Sequence, residues 1–106
     1  MTVNTEDLTT RVVRGAEYLD TRYPGWYAEI DLETLDLDSM SSCIIGQLSQ
    51  VHHETPYTPG YDPNLGFDLN RDEYLSGSVS RQEAWDALNQ LWTDEVEARR
   101  FLNSFV

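Results

Sequence analysis

Residues Pro24–Leu48 read PGWYAEIDLETLDLDSMSSCIIGQL, and the chain is organised around them. Pro24-Gly25 is a turn signal that stops whatever precedes it, because Tyr23, standing before a proline, avoids the helical region. Trp26 follows as an anchor, then Ile30, Leu32, Leu35 and Leu37 interleave with Glu29, Asp31, Glu33, Asp36 and Asp38. The alternation over 31–38 has a strand-like period, but its leucine and glutamate content favours a short helix or helical turn. Asp38 or Ser39 can cap a following helix whose face carries Met40, Cys43, Ile44, Gln47, Leu48 and Val51. Cys43 reads there as a buried structural thiol, packing as a small hydrophobe. A Gln47 amide on that face must be hydrogen-bonded, most simply to the backbone of the Pro24–Asp31 loop.

Upstream, Leu8, Val12, Ala16, Leu19 and Tyr23 recur at helical spacing. Glu6 and Asp7 suit the first turn, and Asn4 or Thr5 can cap it. Gly15 on the same side fits either the close approach of a neighbour or a tolerated helix glycine, while Arg11 and Arg14 lie off the stripe and are expected to meet solvent or nearby acids. Downstream, residues 52–79 hold three of the four prolines and three of the six glycines, and no period survives. Tyr57, Tyr61, Phe67 and Tyr74 are too apolar for a free linker, so a long ordered loop is expected to fold back over the helices, with Leu65 and Phe67 inserted. Ser80-Arg81-Gln82-Glu83 has the form of a capping box, and Ala84, Trp85, Leu88, Leu91, Trp92, Val96 and Leu102 make a broad apolar face. Glu95 and Arg99, four apart within that face, form a helical ion pair and mark a part that is wet or meets a partner. The tail from Phe101 to Val106 is apolar enough to dock.

The expected fold is mainly α: a small single-domain helical fold of three to four helices with a long ordered loop. Residues 1–106 form one domain, with helices about 5–22, 26–35, 39–51 and 81–103 and an irregular loop about 52–79. Trp26, Leu35, Ile44, Leu48, Phe67, Trp85, Leu88 and Trp92 are its expected core.

Charge is the compositional feature above background. Seven basic residues, all arginine, face nineteen acidic ones, for a net charge of −12. Residues 1–38 carry nine acids against three arginines, residues 39–80 five against one, and residues 81–106 five against three. Such a surface repels DNA, RNA and anionic membranes and permits a partner with a basic surface. One cysteine forms no internal disulfide, the N-terminal residues lack a signal-peptide pattern, and no apolar run approaches the ~20 residues of a membrane span. The expected location is the cytoplasm.

Catalytic and metal motifs fail on inspection. Cys43 with His52-His53-Glu54 matches no zinc spacing. Asp68-Leu69-Asn70-Arg71-Asp72 opens like a calcium loop, but Glu73 replaces the required glycine and Val79 the closing acid, so Asp68 or Asn70 reads better as a turn or cap residue. No phosphate loop or nucleophile elbow occurs, and an acidic setting disfavours a Cys43 thiolate. No cofactor, metal or catalytic residue is expected. The candidate partner-binding residues are Asp31, Glu33, Asp36 and Asp38, whose spacing suits either imitation of a phosphate strand or a solvated acidic face that only keeps the protein soluble, with Tyr57 and Tyr61 in the long loop.

Leu19-Asp20, Pro24-Gly25-Trp26, Ile30-Asp31, Leu35-Asp36, Cys43 and Gly46-Gln47-Leu48 together resemble small acidic, uncharacterised proteins of actinobacteria and their bacteriophages. Gly66-Phe67, the spacing from Tyr74 to Trp92, and Arg99-Arg100 look similar too, so the resemblance covers most of the chain in short segments. The all-arginine usage fits a GC-rich source. The resemblance implies a phage or prophage accessory protein that acts on a host protein in the actinobacterial cytoplasm, and it implies no reaction. The alternative from another class is a structural or assembly module that self-associates through apolar surface.

Overall fold

A buried Arg11 and two glycines distant in sequence, Gly15 and Gly66, set how the helices come together. The computed structural model describes residues 5–53 and 62–104. Helix α1 spans Thr5–Arg22, followed by a single 3-10 turn at Trp26–Glu29. Helix α2 spans Ile44–His52, a second 3-10 turn Pro63–Leu65, helix α3 Arg71–Tyr74 and helix α4 Ser78–Asn103. The chain is mainly helical, with no strand among the described residues.

α1 and α4 pack along each other, and the 62–69 segment lies across α1. That approach needs glycine twice. A Cβ on Gly15 would stand 1.9 Å from the Leu65 carbonyl oxygen, and one on Gly66 (φ 73°) would stand 2.8 Å from Val12 Cα. The core is built on aromatic rings: Trp92 stacks on Phe67 at 5.3 Å and meets Trp26 edge-on at 5.9 Å. Both indole N–H groups are satisfied, Trp92 donating to the Gly66 carbonyl (2.6 Å) and Trp26 to Asp20 (2.9 Å). Leu8, Val12, Ala16, Leu19, Ile44, Leu48, Leu88 and Val96 fill the space around them.

The expected core is buried except for Leu35, which is half-buried and packs on its edge. Arg11, expected to meet solvent or nearby acids, meets acids, but it does so while buried, at 4% exposure. Its Nε donates to the Pro63 carbonyl (2.7 Å), and its terminal nitrogens donate to Asp7 (3.0 Å), to both oxygens of Glu73 (2.8 and 3.0 Å) and to the Asp68 carbonyl (3.1 Å). Burial works against the guanidinium charge, yet the bonds to Glu73 and Asp7 hold its pKa above the ordinary value. A periodicity argument assigns it to the surface because the loop that covers it lies fifty residues away in sequence.

The helix limits also differ. The helix expected over 26–35 stops after one turn. Ile30 is extended, and the Asp31 and Asp36 side chains accept from the backbone N–H groups of Glu33 and Asp38 (3.0 Å each), which competes with helix. The helix expected over 39–51 begins only at Ile44, because Ser39 Oγ takes the Ser42 amide, and the cap is Cys43, whose Sγ accepts from Gly46 N (3.2 Å). Met40 and Val51, expected on its buried face, are exposed. Within the loop expected over 52–79 lie the Pro63–Leu65 turn and α3. Asn70 caps α3 in a capping box with Glu73, while Phe67 is buried and Leu65 half-buried. α4 begins at Ser78 instead of 81. Gly77 (φ 101°) supplies the break, and Arg81 N already donates to its carbonyl (2.9 Å), so Ser80 is inside the helix rather than capping it. Phe101 and Leu102 are exposed instead of docked, because α4 runs past the elements it packs on.

Candidate functional site: the acidic 31–38 segment

The segment from Asp31 to Asp38 has a leucine side and a carboxylate side. Leu37 is buried, and Leu32 and Leu35 pack half-buried against the core. Asp31, Glu33, Asp36 and Asp38 are all exposed. The inward leucines are spaced three and then two residues apart, so the segment follows neither the short helix favoured from the sequence nor a strict alternation, and two successive aspartate turns set its path.

Neutral amides fasten the segment at both ends. Gln47 bonds Asp31 twice, its Oε1 accepting from the Asp31 N–H (2.7 Å) and its Nε2 donating to the Asp31 carbonyl (3.1 Å). This is the backbone bond expected for Gln47, at the last residue of the loop named for it. At the other end Asn89 of α4 accepts from the Leu37 N–H (2.7 Å), and Asp36 N donates to the Ser42 carbonyl (3.1 Å). No sequence pattern pointed to Asn89, since a polar residue in α4 reads as solvent-facing until its partner is known.

None of the four carboxylates forms an ion pair among the described residues. The arginines nearest the core are committed elsewhere. Arg11 holds Glu73 and Asp7, Arg99 bonds Asp20 and Glu95 while lying over Trp26, and Arg100 donates to the carbonyls of Tyr27 and Ile30. Arg81 donates to the Tyr74 carbonyl (3.1 Å). Glu95 and Arg99, expected as a pair in the α4 face, thus meet the end of α1 through Asp20, whose carboxyl Arg99 holds below its ordinary pKa.

At the Asp38 end a second loop adds charge of the same sign. Partial burial raises the Asp38 pKa, and repulsion by Asp36 and by Asp68 raises it further. Asp68 accepts from the Tyr74 hydroxyl (2.8 Å), and burial with that bond pushes the Tyr74 phenol above its ordinary range. Asp68, anticipated only as a turn residue, thereby joins the acidic face. Its sign in sequence was the failed calcium-loop pattern, which placed acids there without saying what they would meet. At the Asp31 end an open groove of about 500 Å³ runs between the segment and α2, lined by Glu29, Asp31, Thr34, Ser41, Gln47 and Val51. His52 bonds the lining residue Glu29 (2.9 Å) and lies tilted against the Tyr23 ring at 4.7 Å. Tyr57 and Tyr61, the remaining candidates, lie outside the described residues.

Cys43 is buried and accepts at the α2 cap, and burial pushes its thiol up, opposite to what a nucleophile needs. Among the described residues no three His, Cys, Asp or Glu side chains are grouped to hold a metal ion, and no helix is long and apolar enough to cross a membrane.

No family model matches the chain, and no curated protein or solved structure matches it significantly.

Proposed function

We propose that this protein is a binding module whose Asp31–Asp38 segment docks on the basic surface of a partner protein, in the place a nucleic-acid backbone would take. The observation that carries the reading is the one-sided arrangement of that segment. Its leucines are turned to the core, its ends are held by Gln47 and Asn89, and its four carboxylates are exposed with no ion pair among the described residues. A segment held in this way presents charge without first having to order itself, which lowers the entropic cost of binding. The uncompensated charge steers a cationic partner and repels nucleic acid. Following the resemblance of the sequence, the partner is a host protein in an actinobacterial cytoplasm and the chain a phage or prophage accessory factor.

The test is capture from actinobacterial lysate with the tagged protein at low and at high salt. A basic protein retained at low salt and lost at high salt is the expected result. The same capture should fail with a variant carrying Asp31→Asn, Glu33→Gln, Asp36→Asn and Asp38→Asn. The second reading, self-association through apolar surface, draws on the exposed Met40, Leu75, Val79, Phe101 and Leu102. No partner at either salt, together with a mass that grows with concentration in light scattering, would replace the first reading by the second.

A further inference from the structure

Beside Asp38 the surface opens into a crevice of about 80 Å³. At about 30 Å³ per water that is room for the end of one side chain, not for a helix or a base. Its walls are Leu37, Phe67, Trp85 and Tyr74, and its polar rim holds Asp38 and Asp68. The Tyr74 and Trp85 rings meet edge-on at 5.9 Å, and the Tyr74 hydroxyl is already occupied by Asp68, which presents the ring as an apolar, electron-rich wall. Met40 stands at the mouth, 71% exposed, and its flexible thioether can close over an occupant.

We propose that this crevice seats one arginine side chain of the basic partner. The inference rests on the proposed function and names the anchoring contact within it. An arginine carries an apolar stem and a planar cation, and the crevice pairs an apolar aromatic wall with carboxylates at its rim. The stem packs on Leu37 and Phe67, the guanidinium plane lies against an aromatic ring, and Asp38 takes the N–H groups as a charge-assisted pair. Charge complementarity selects this occupant over a purely apolar one. Asp36, Asp38 and Asp68 repel one another there, and the cation facing them is Arg81, which eases Asp38 while its own guanidinium bonds the Tyr74 carbonyl. An added cation relieves that repulsion, whereas an apolar plug would bury the carboxylates further.

The experiment is a titration of the ¹⁵N-labelled full chain with N-acetyl-L-arginine methylamide, followed by NMR. The Trp85 indole N–H should shift saturably, with a Kd on the order of millimolar, as a single side chain allows. The buried Trp26 indole should stay in place. The pair Asp38→Asn and Asp68→Asn keeps the oxygens that accept from Leu69 and Tyr74, so the fold should persist by circular dichroism while the affinity falls at least about tenfold, the worth of one lost charge-assisted contact. Glu17→Gln with Glu97→Gln, at exposed acids outside both the segment and the crevice, should leave the titration unchanged. The uncharged N-acetyl-norvaline methylamide should produce no saturable shift. Absence of a saturable Trp85 shift, the same shift in the Asp38/Asp68 variant, or equal binding of the norvaline compound would each overturn the proposal. Failure of the proposed function looks different, because lysate capture would be lost while the arginine titration persisted. Capture that survives while the titration fails overturns the crevice alone.

Discussion

The chain from Asp62 to Tyr74 and the chain from Asp31 to Asp38 both connect helices, and each carries four carboxylates. They are held in opposite ways. The first is clamped by a cation: Arg11 reaches out of α1 to Glu73 and to the carbonyls of Pro63 and Asp68. Acids serve the backbone in both segments, Asp62 capping the Pro63–Leu65 turn and Glu73 completing the α3 capping box in the first, Asp31 and Asp36 accepting from Glu33 and Asp38 in the second. The second is clamped by neutral amides, Gln47 and Asn89, so fixing its path neutralises none of its charge. The choice of fastener therefore decides whether an acidic connection becomes structure or remains an outward-facing charge.

Removing the cationic clamp should have the largest effect. Arg11→Ala leaves Glu73 half-buried and unpaired and should lower stability by about 3–5 kcal/mol, read as a shift of the urea midpoint. Arg11→Lys should recover only part of this, since a point charge cannot replace the paired bond to Glu73. A full recovery would mean that charge alone, not the fork geometry, holds the 62–74 segment. Gly15→Ala attacks the same contact sterically, against the Leu65 carbonyl, and should cost about 1–3 kcal/mol.

Next comes the neutral clamp. Asn89→Ala strands the Leu37 N–H and should cost about 1–3 kcal/mol. The same variant should speed hydrogen exchange at Leu37 and weaken partner capture, because the acidic segment is no longer held in place. Unchanged capture would show that the preorganisation of this segment contributes nothing to binding.

A smaller effect, of opposite sign, is expected for the outward charge. Asp38 has a folded pKa above its unfolded value, so its ionised form is disfavoured by the fold. Stability gained from its protonation appears as pH falls through the raised folded value and is complete below the unfolded one. Asp38→Asn should accordingly leave stability at neutral pH unchanged or slightly higher while reducing salt-sensitive capture. A clear loss of stability would assign Asp38 a structural role.

The smallest effect belongs to Asp20, whose carboxyl Arg99 holds below its ordinary pKa. Its contribution is present above the unfolded value and is lost as pH falls through the lowered folded one. The Asp20 carboxylate is substantially exposed, so Asp20→Asn should cost under about 1 kcal/mol at neutral pH, and less as salt is added.

Much of the fold was legible before any coordinates. α1 occupies the residues its stripe marked, and Trp26, Ile44, Leu48, Phe67, Trp85, Leu88 and Trp92 are buried where periodicity and aromatic content put them. The Gln47 amide was readable because it broke a local rule, a polar group on an apolar face, whereas Gly15 could equally have been a tolerated helix glycine until the Leu65 carbonyl was seen against it. The helix limits at residues 26–44 were not readable, since aspartate and serine side chains competing for backbone amides look the same in sequence whether they cap a helix or end one. The outward acids were legible as charge, but their lack of ion pairs was not, because that depended on where the arginines went.

The helical class, the aromatic core and the excess of negative charge are written in the residues, because periodicity, side-chain size and ionisation are properties of residues and their near neighbours. Long-range packing put Arg11 against a loop fifty residues away, Asn89 on Leu37, and Asp38 near Asp68 beside a ring-walled crevice. Those are pairings between distant segments, and a partner's identity is settled by how helices pack, not by the spacing within any one of them.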